Sequence, residues 1–129
     1  MVIVDSSVWI DILRNRETPE TVIFERIAAQ QEVGLGDLIL YEVLQGVKPA
    51  ERLQKIGRYL MTFRVVPMVG RAAVLDAVRN VQALRAQGVQ PGTVDCLIAT
   101  YCIRNGCQLL SSDRHFQPFV DFLGLVMAR

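Results

Sequence analysis

The sequence predicts an α/β fold, a three-layer α/β/α arrangement around a mostly parallel central sheet. Three observations lead there. Short β-branched or apolar runs recur along the chain, stretches of helical apolar period separate them, and turns rich in Gly, Pro or Asn mark the junctions. Strands that alternate with helices pair in parallel through crossover connections, and the helices cover the sheet faces. The 129 residues, 51% of them hydrophobic, are expected to form one domain, 1–129, whose core needs neither disulfide nor zinc.

Val2-Ile3-Val4 is a strand ending at Asp5, and Ser6 and Ser7 are candidate caps for a helix through Leu13. Arg14 to Thr18 is a polar connection. Pro19 suits the first turn of a helix reaching about Gln31, with Val22, Ile23 and Ile27 on one face. Val33 to Leu35 reads as a strand, Asp37 as the N-cap of a helix over Leu38 to Gly46, and Pro49 as the start of a helix through about Phe63. Val65-Val66 is a strand, Arg71 to Gln87 a long helix closed by Gly88, and Thr93 the cap of a helix ended by Asn105-Gly106. Cys107 to Leu110 is a strand and Ser111 to Asp113 a turn. Arg114 to Phe119 is a short helical or irregular piece, and Leu123 to Met127 a last strand.

With 14 Lys+Arg against 13 Asp+Glu, the net charge is +1. That argues against a protein that holds nucleic acid by bulk charge, while leaving room for a local basic rim. A charged fraction of 21% beside this much apolar content excludes a disordered or acidic-tail protein. No apolar run approaches the ~20 residues a bilayer demands, and the amino terminus reaches Asp5 without a basic n-region, so a cytosolic protein with no membrane association is expected. Cys96, Cys102 and Cys107 lack Cys-x-x-Cys or zinc spacing and are expected as reduced core residues.

Charges normally sit among polar neighbours, so acids in apolar company are informative. Asp5 follows Met1-Val2-Ile3-Val4, and Glu42 sits within Leu38-Ile39-Leu40-Tyr41-Glu42-Val43-Leu44. Asp95 is the only charge between Arg85 and Arg104, and Asp113 follows Cys107-Gln108-Leu109-Leu110-Ser111-Ser112. Each has a bland role: helix caps for Asp5 and Asp113, a first-turn acid for Asp95, a wet helix edge for Glu42. In parallel sheets, however, the ligand crevice lies beyond the carboxyl ends of the strands, where Asp5 and Asp113 fall. Four carboxylates converging there repel one another severely without a cation. Hard oxygen donors suit Mg²⁺ or Mn²⁺, and phosphodiester hydrolysis by metal-activated water is the chemistry such a site supports.

Four segments, Val-Asp-Ser-Ser-Val-Trp-Ile-Asp at positions 4 to 11, Leu40-Tyr41-Glu42-Val43-Leu44-Gln45-Gly46, Val94-Asp95-Cys96-Leu97-Ile98-Ala99 and Leu109-Leu110-Ser111-Ser112-Asp113-Arg114-His115-Phe116, together resemble the motifs of PIN-domain ribonucleases. More narrowly, they resemble the VapC-type toxins of bacterial toxin–antitoxin pairs, over essentially the whole chain and in order. The resemblance implies a compact PIN fold, Mg²⁺- or Mn²⁺-dependent endonucleolytic cleavage of RNA, and a homodimer. It also implies inhibition by a small VapB-like antitoxin whose C-terminal segment occupies the active-site groove. Asp5, Glu42, Asp95 and Asp113 match the family's four acids. Ser7 matches its small hydroxyl residue two positions after the first acid, where a helix-capping role is equally open. Many relatives carry another acid two positions after the fourth; here His115 stands there, which leaves the number of ions open. As the only His, it is expected at the surface or behind the ligands rather than on the metal.

Arg14, Arg16 and Arg114 lie near the first and fourth acids in sequence and are candidate contacts to RNA phosphates, although each also fits a solvated face. Trp9, Phe24, Tyr41, Phe63, Tyr101 and Phe116 are expected in the core rather than stacked on bases. Two other classes fit less well. A receiver-type Mg²⁺-binding signalling module wants a late lysine, and the only lysines are Lys48 and Lys55. A phosphatase with a first-strand Asp nucleophile wants a second Asp where Ser7 stands. A solitary PIN nuclease acting in RNA processing, without an antitoxin, is the remaining alternative.

Overall fold

A computed structural model describes residues 1–129. Four short strands, β1 (Val2–Val4), β2 (Val33–Gly36), β3 (Arg64–Val66) and β4 (Gln108–Leu110), lie in the order β3-β2-β1-β4, every pairing parallel. Helices α1 (Ser6–Leu13), α2 (Pro19–Gln30), α3 (Asp37–Gln45) and α4 (Leu53–Leu60) pack among themselves, as do α5 (Arg71–Ala86), α6 (Thr93–Asn105) and α7 (Gln117–Leu123). Every residue of β1 and β2 is buried, as in strands covered on both faces. The expected α/β class with a parallel sheet is the observed one.

The apolar residues form one cluster of 28 buried side chains. Trp9 is fully buried within it, meeting Phe24 and Phe63 edge-on at 5.3 and 4.8 Å between ring centroids. Its Nε1 donates to the Val4 carbonyl at 2.9 Å. That bond fastens α1 onto β1 and so holds Asp5, the single residue between them. Asn80 donates to the buried Thr100 hydroxyl at 2.9 Å, a polar tie between α5 and α6. The three cysteines are free and buried, and no helix is long and apolar enough to cross a membrane.

Pro19 opens α2 as expected, preceded by a capping box in which Thr18 Oγ1 accepts from Thr21 N at 3.1 Å and Thr21 Oγ1 from Thr18 N at 2.8 Å. Asp37 and Thr93, expected as N-caps, are instead the first helical residues, and Gly36 and Gly92 take the cap positions. At Gly36 a Cβ would lie 2.2 Å from Met68 Sδ, so the corner between β2 and α3 admits only glycine as it stands. One place on, Asp37 Oδ1 accepts from Leu38 N and Met68 N at 2.8 and 3.1 Å, tying α3 to the segment after β3.

Three other expectations change. The helix read from Pro49 to Phe63 is a 3₁₀ turn over Ala50–Arg52 followed by α4, which stops at Leu60. The last strand, Leu123 to Met127, does not form: α7 runs through Leu123 and Gly124 ends it in the left-handed conformation at φ 80°. What remains is a parallel bridge from Leu109 to Met127, closed by Leu109 N to Val126 O at 3.0 Å and Ala128 N to Leu109 O at 2.8 Å. Tyr41, expected in the core, is 71% exposed, because the helical period of α3 turns Ile39 and Val43 inward and position 41 outward.

Candidate metal centre

The sheet order places β1 between β2 and β4, so the chain leaves β1 toward one neighbour and returns beside it as the other. Such a reversal opens a crevice at the carboxyl ends of the two strands. β1 and β4 run in register, Val4 beside Leu110, and Asp5 N donates to the Leu110 carbonyl at 2.9 Å. Asp5 and the Ser111-Ser112-Asp113 turn therefore emerge side by side from strands more than a hundred residues apart.

Asp5 occupies the cap position of α1, since the helix begins at Ser6, yet its side chain makes no capping bond. Instead the carboxylate, only 4% exposed, accepts from Ser7 Oγ at 3.0 Å and from Ser111 Oγ at 2.8 Å, both on Oδ2. Ser7 thus holds the first acid rather than capping the helix. Ser111 Oγ also accepts from Asp113 N at 3.0 Å, which joins the first and fourth acids through one hydroxyl. Asp113 does cap the 3₁₀ turn over Arg114–Phe116, accepting from His115 N at 2.9 Å. The His115 ring bends back, its Nδ1 3.1 Å from Asp113 Oδ1. Asp95 enters from the first turn of α6 and Glu42 from the middle of α3, both half-buried.

The four acids act on one another. Burial pushes the Asp5 carboxyl above its ordinary range, the Ser111 and Ser7 hydroxyls oppose the shift, and the charge of Asp113 adds to it. Glu42 is raised first by burial and then by Asp5 and Asp95, with the Ser6 hydroxyl opposing. Asp95 is raised by burial, then by Asp113 and Asp5, and His115 draws it down. No Lys or Arg pairs with any of the four. One ligand atom from each of Asp95, Asp113 and His115 lies within 4.8 Å of the others. A cluster of mutually repelling, partly desolvated oxygen donors without a basic partner fits a hard divalent cation.

One site member is not legible in the sequence. Ser111 reads only as part of a turn, and what identifies it is the register that sets Leu110 beside Val4 and so brings Ser111 to Asp5. His115, expected at the surface or behind the ligands, has a side chain 82% exposed that reaches the Asp113 carboxylate and lies close to Asp95. The three arginines part company. Arg14 shares a groove with Glu42, Arg114 lines another beside Ser111 and Asp113, and Arg16 turns to Asp11, 3.5 Å away.

Fold and site together define an α/β protein whose parallel strands direct their carboxyl ends into an acidic crevice suited to a divalent cation. The family model of the PIN domain matches residues 2–119, and the chain belongs to the PIN-domain family. Solved structures share the fold at low identity. VapBC2 from Rickettsia felis, bound to a DNA fragment from their promoter, has a TM-score of 0.81 at 15% identity, with 98% of this chain and 97% of that chain covered. VapBC-1 from nontypeable Haemophilus influenzae has 0.76 at 20%, with 95% of each chain covered. Mycobacterium tuberculosis VapC20, described as a sarcin–ricin loop cleaving toxin, has 0.66 at 16%, with 98% and 99% covered. No curated protein matches the chain in sequence.

Proposed function

We propose that this chain is a Mg²⁺- or Mn²⁺-dependent endoribonuclease that serves as the toxin of a toxin–antitoxin pair and is neutralised by a small VapB-like antitoxin. The observation that carries the nuclease reading is the convergence of Asp5, Glu42, Asp95 and Asp113 with no Lys or Arg partner. These four acids would hold the ion, with Asp5 set in one orientation by Ser7 and Ser111. When bound, the ion supplies Lewis-acid activation of the attacking water and neutralises charge at the phosphate. Before that, the acids repel RNA. Arg114, exposed beside Asp113, is placed to meet a phosphate flanking the cleaved bond.

The toxin half of the reading is supported by the structural neighbours: Mycobacterium tuberculosis VapC20 is described as a toxin, and those from Rickettsia felis and Haemophilus influenzae are VapBC structures. The proposal includes a single cytoplasmic PIN domain acting as a homodimer, for which Val74, Leu75 and Val78 on α5 offer an exposed apolar face. In the test, protein freed of antitoxin is incubated with structured RNA. Cleavage is expected with Mg²⁺ or Mn²⁺ and lost in Asp95→Asn; full cleavage in a chelator overturns the mechanism. Expression of the wild type is expected to arrest growth and Asp95→Ala to relieve the arrest. Equal growth of the two, with cleavage intact in vitro, overturns the toxin role and favours a solitary PIN nuclease.

A further inference from the structure

Arg14, Lys48 and Arg52 reach one groove from three elements. Arg14 closes α1, Lys48 lies in the bend after α3, and Arg52 ends the 3₁₀ turn before α4. Packing of α1 and α4 against α3 brings them together. The groove encloses about 340 Å³, and its only carboxylate is Glu42, the acid that feels the charges of Asp5 and Asp95. All three cations are exposed, and none makes an ion pair, whereas Arg16, Arg64, Arg79 and Arg104 each do. The groove therefore starts at the acid centre and leads away from it with a local excess of positive charge. Its apolar wall is aliphatic, including Ile10, Leu13 and Ile56, and it holds no aromatic ring.

Each feature has a consequence for a ligand. Unpaired cations in a concave surface attract a polyanion and release its counterions on binding. The acids next door repel the same polyanion, so attraction along the groove offsets repulsion at the centre. Without a ring on which a base can stack, the contacts go to phosphate and sugar rather than to base identity.

We propose that the Arg14–Lys48–Arg52 groove is the track for the single-stranded RNA backbone on the Glu42 side of the cleaved bond, gripping phosphates without reading sequence. This rests on the nuclease reading above. In an Asp95→Asn background with Mg²⁺, binding of a fluorescein-labelled oligouridylate of about 20 nucleotides is followed by anisotropy across a salt series. Adding Arg14→Gln, Lys48→Gln and Arg52→Gln is expected to flatten the slope of log affinity against log salt by about 2, since each single-strand phosphate contact contributes roughly 0.7. Affinity for an oligoadenylate is expected to fall by the same factor. Arg64→Gln with Arg104→Gln, at the opposite end of the strands, is expected to leave the slope unchanged. All variants are first matched for melting behaviour.

An unchanged slope in the triple variant, with metal-dependent cleavage by the Asp95 parent intact, overturns the track and leaves the nuclease reading standing. A triple variant that keeps its RNA affinity but no longer retains polyglutamate overturns it in favour of an acidic protein segment. If the Asp95 parent shows no metal-dependent cleavage, the nuclease reading fails and the track with it.

Discussion

Ser111→Ala isolates the one hydroxyl that joins the first and fourth acids. Ser111 Oγ donates to Asp5 Oδ2 at 2.8 Å and accepts from Asp113 N at 3.0 Å. In the alanine variant Asp5, 4% exposed, keeps Ser7 as its side-chain donor, while water reaches the Asp113 amide at its half-exposed turn. The lost bond to Asp5 therefore dominates. A hydrogen bond to a charged group contributes about 1.5–3 kcal/mol and one between neutral groups about 0.5–1.5. The expected destabilisation of metal-free protein is thus about 2–3 kcal/mol with Asp5 ionised, falling to about 1 kcal/mol with Asp5 protonated.

The pH dependence follows in sign. Burial raises the folded Asp5 pKa and the Ser111 bond opposes that rise, so the variant raises it further. Folded variant then binds more protons than folded wild type over that interval, and its deficit grows as pH climbs through the folded Asp5 pKa. Urea denaturation of chelator-treated wild type and variant from about pH 4 to about pH 8 measures it. A loss equal at both ends, or below about 0.5 kcal/mol throughout, would show that Ser111 does not hold the ionised carboxylate.

The clustered acids also make the metal-free site a liability to stability. Asp5, Glu42 and Asp95 all have folded pKa values raised above their ordinary range. Between the ordinary and raised values the folded state binds more protons than the unfolded, so their contribution falls as pH rises through that window. Metal-free Asp95→Asn is accordingly expected to melt above wild type near pH 8, the gap narrowing toward pH 4, with Mg²⁺ or Mn²⁺ raising the wild type far more than the variant. Thermal melts with and without metal decide this, and an equal gap at both pH values counts against it. Trp9→Phe removes the donor to the Val4 carbonyl and part of the packing on Phe24 and Phe63. A loss of about 2–3 kcal/mol is expected in equilibrium unfolding, and a loss under 1 would mean that another donor replaces the indole.

Much of this protein is written locally. The apolar runs Val2–Val4, Val33–Gly36 and Gln108–Leu110 and the helical stretches between them carry their own periodicity, so the α/β class and parallel sheet follow from short windows of sequence. Asp5, Glu42, Asp95 and Asp113 stand out because a charge in an apolar segment needs a reason, and that too is visible residue by residue. Only the tertiary structure decided what required two distant segments at once. Ser111 and Ser112 are indistinguishable in sequence; the register of Val4 beside Leu110 sets Ser111 on Asp5. Asp37 is a good cap by type, but Gly36 takes the cap position and the Asp37 carboxylate instead accepts from Met68 N, beyond β3. Arg14 and Arg16 are two positions apart, yet the turn after α1, with Asn15 at φ 53°, sends one toward Glu42 and the other to Asp11. Periodicity is a property of neighbours along the chain, whereas a site is made by neighbours in space, and pairing between distant strands carries no signature in either strand alone.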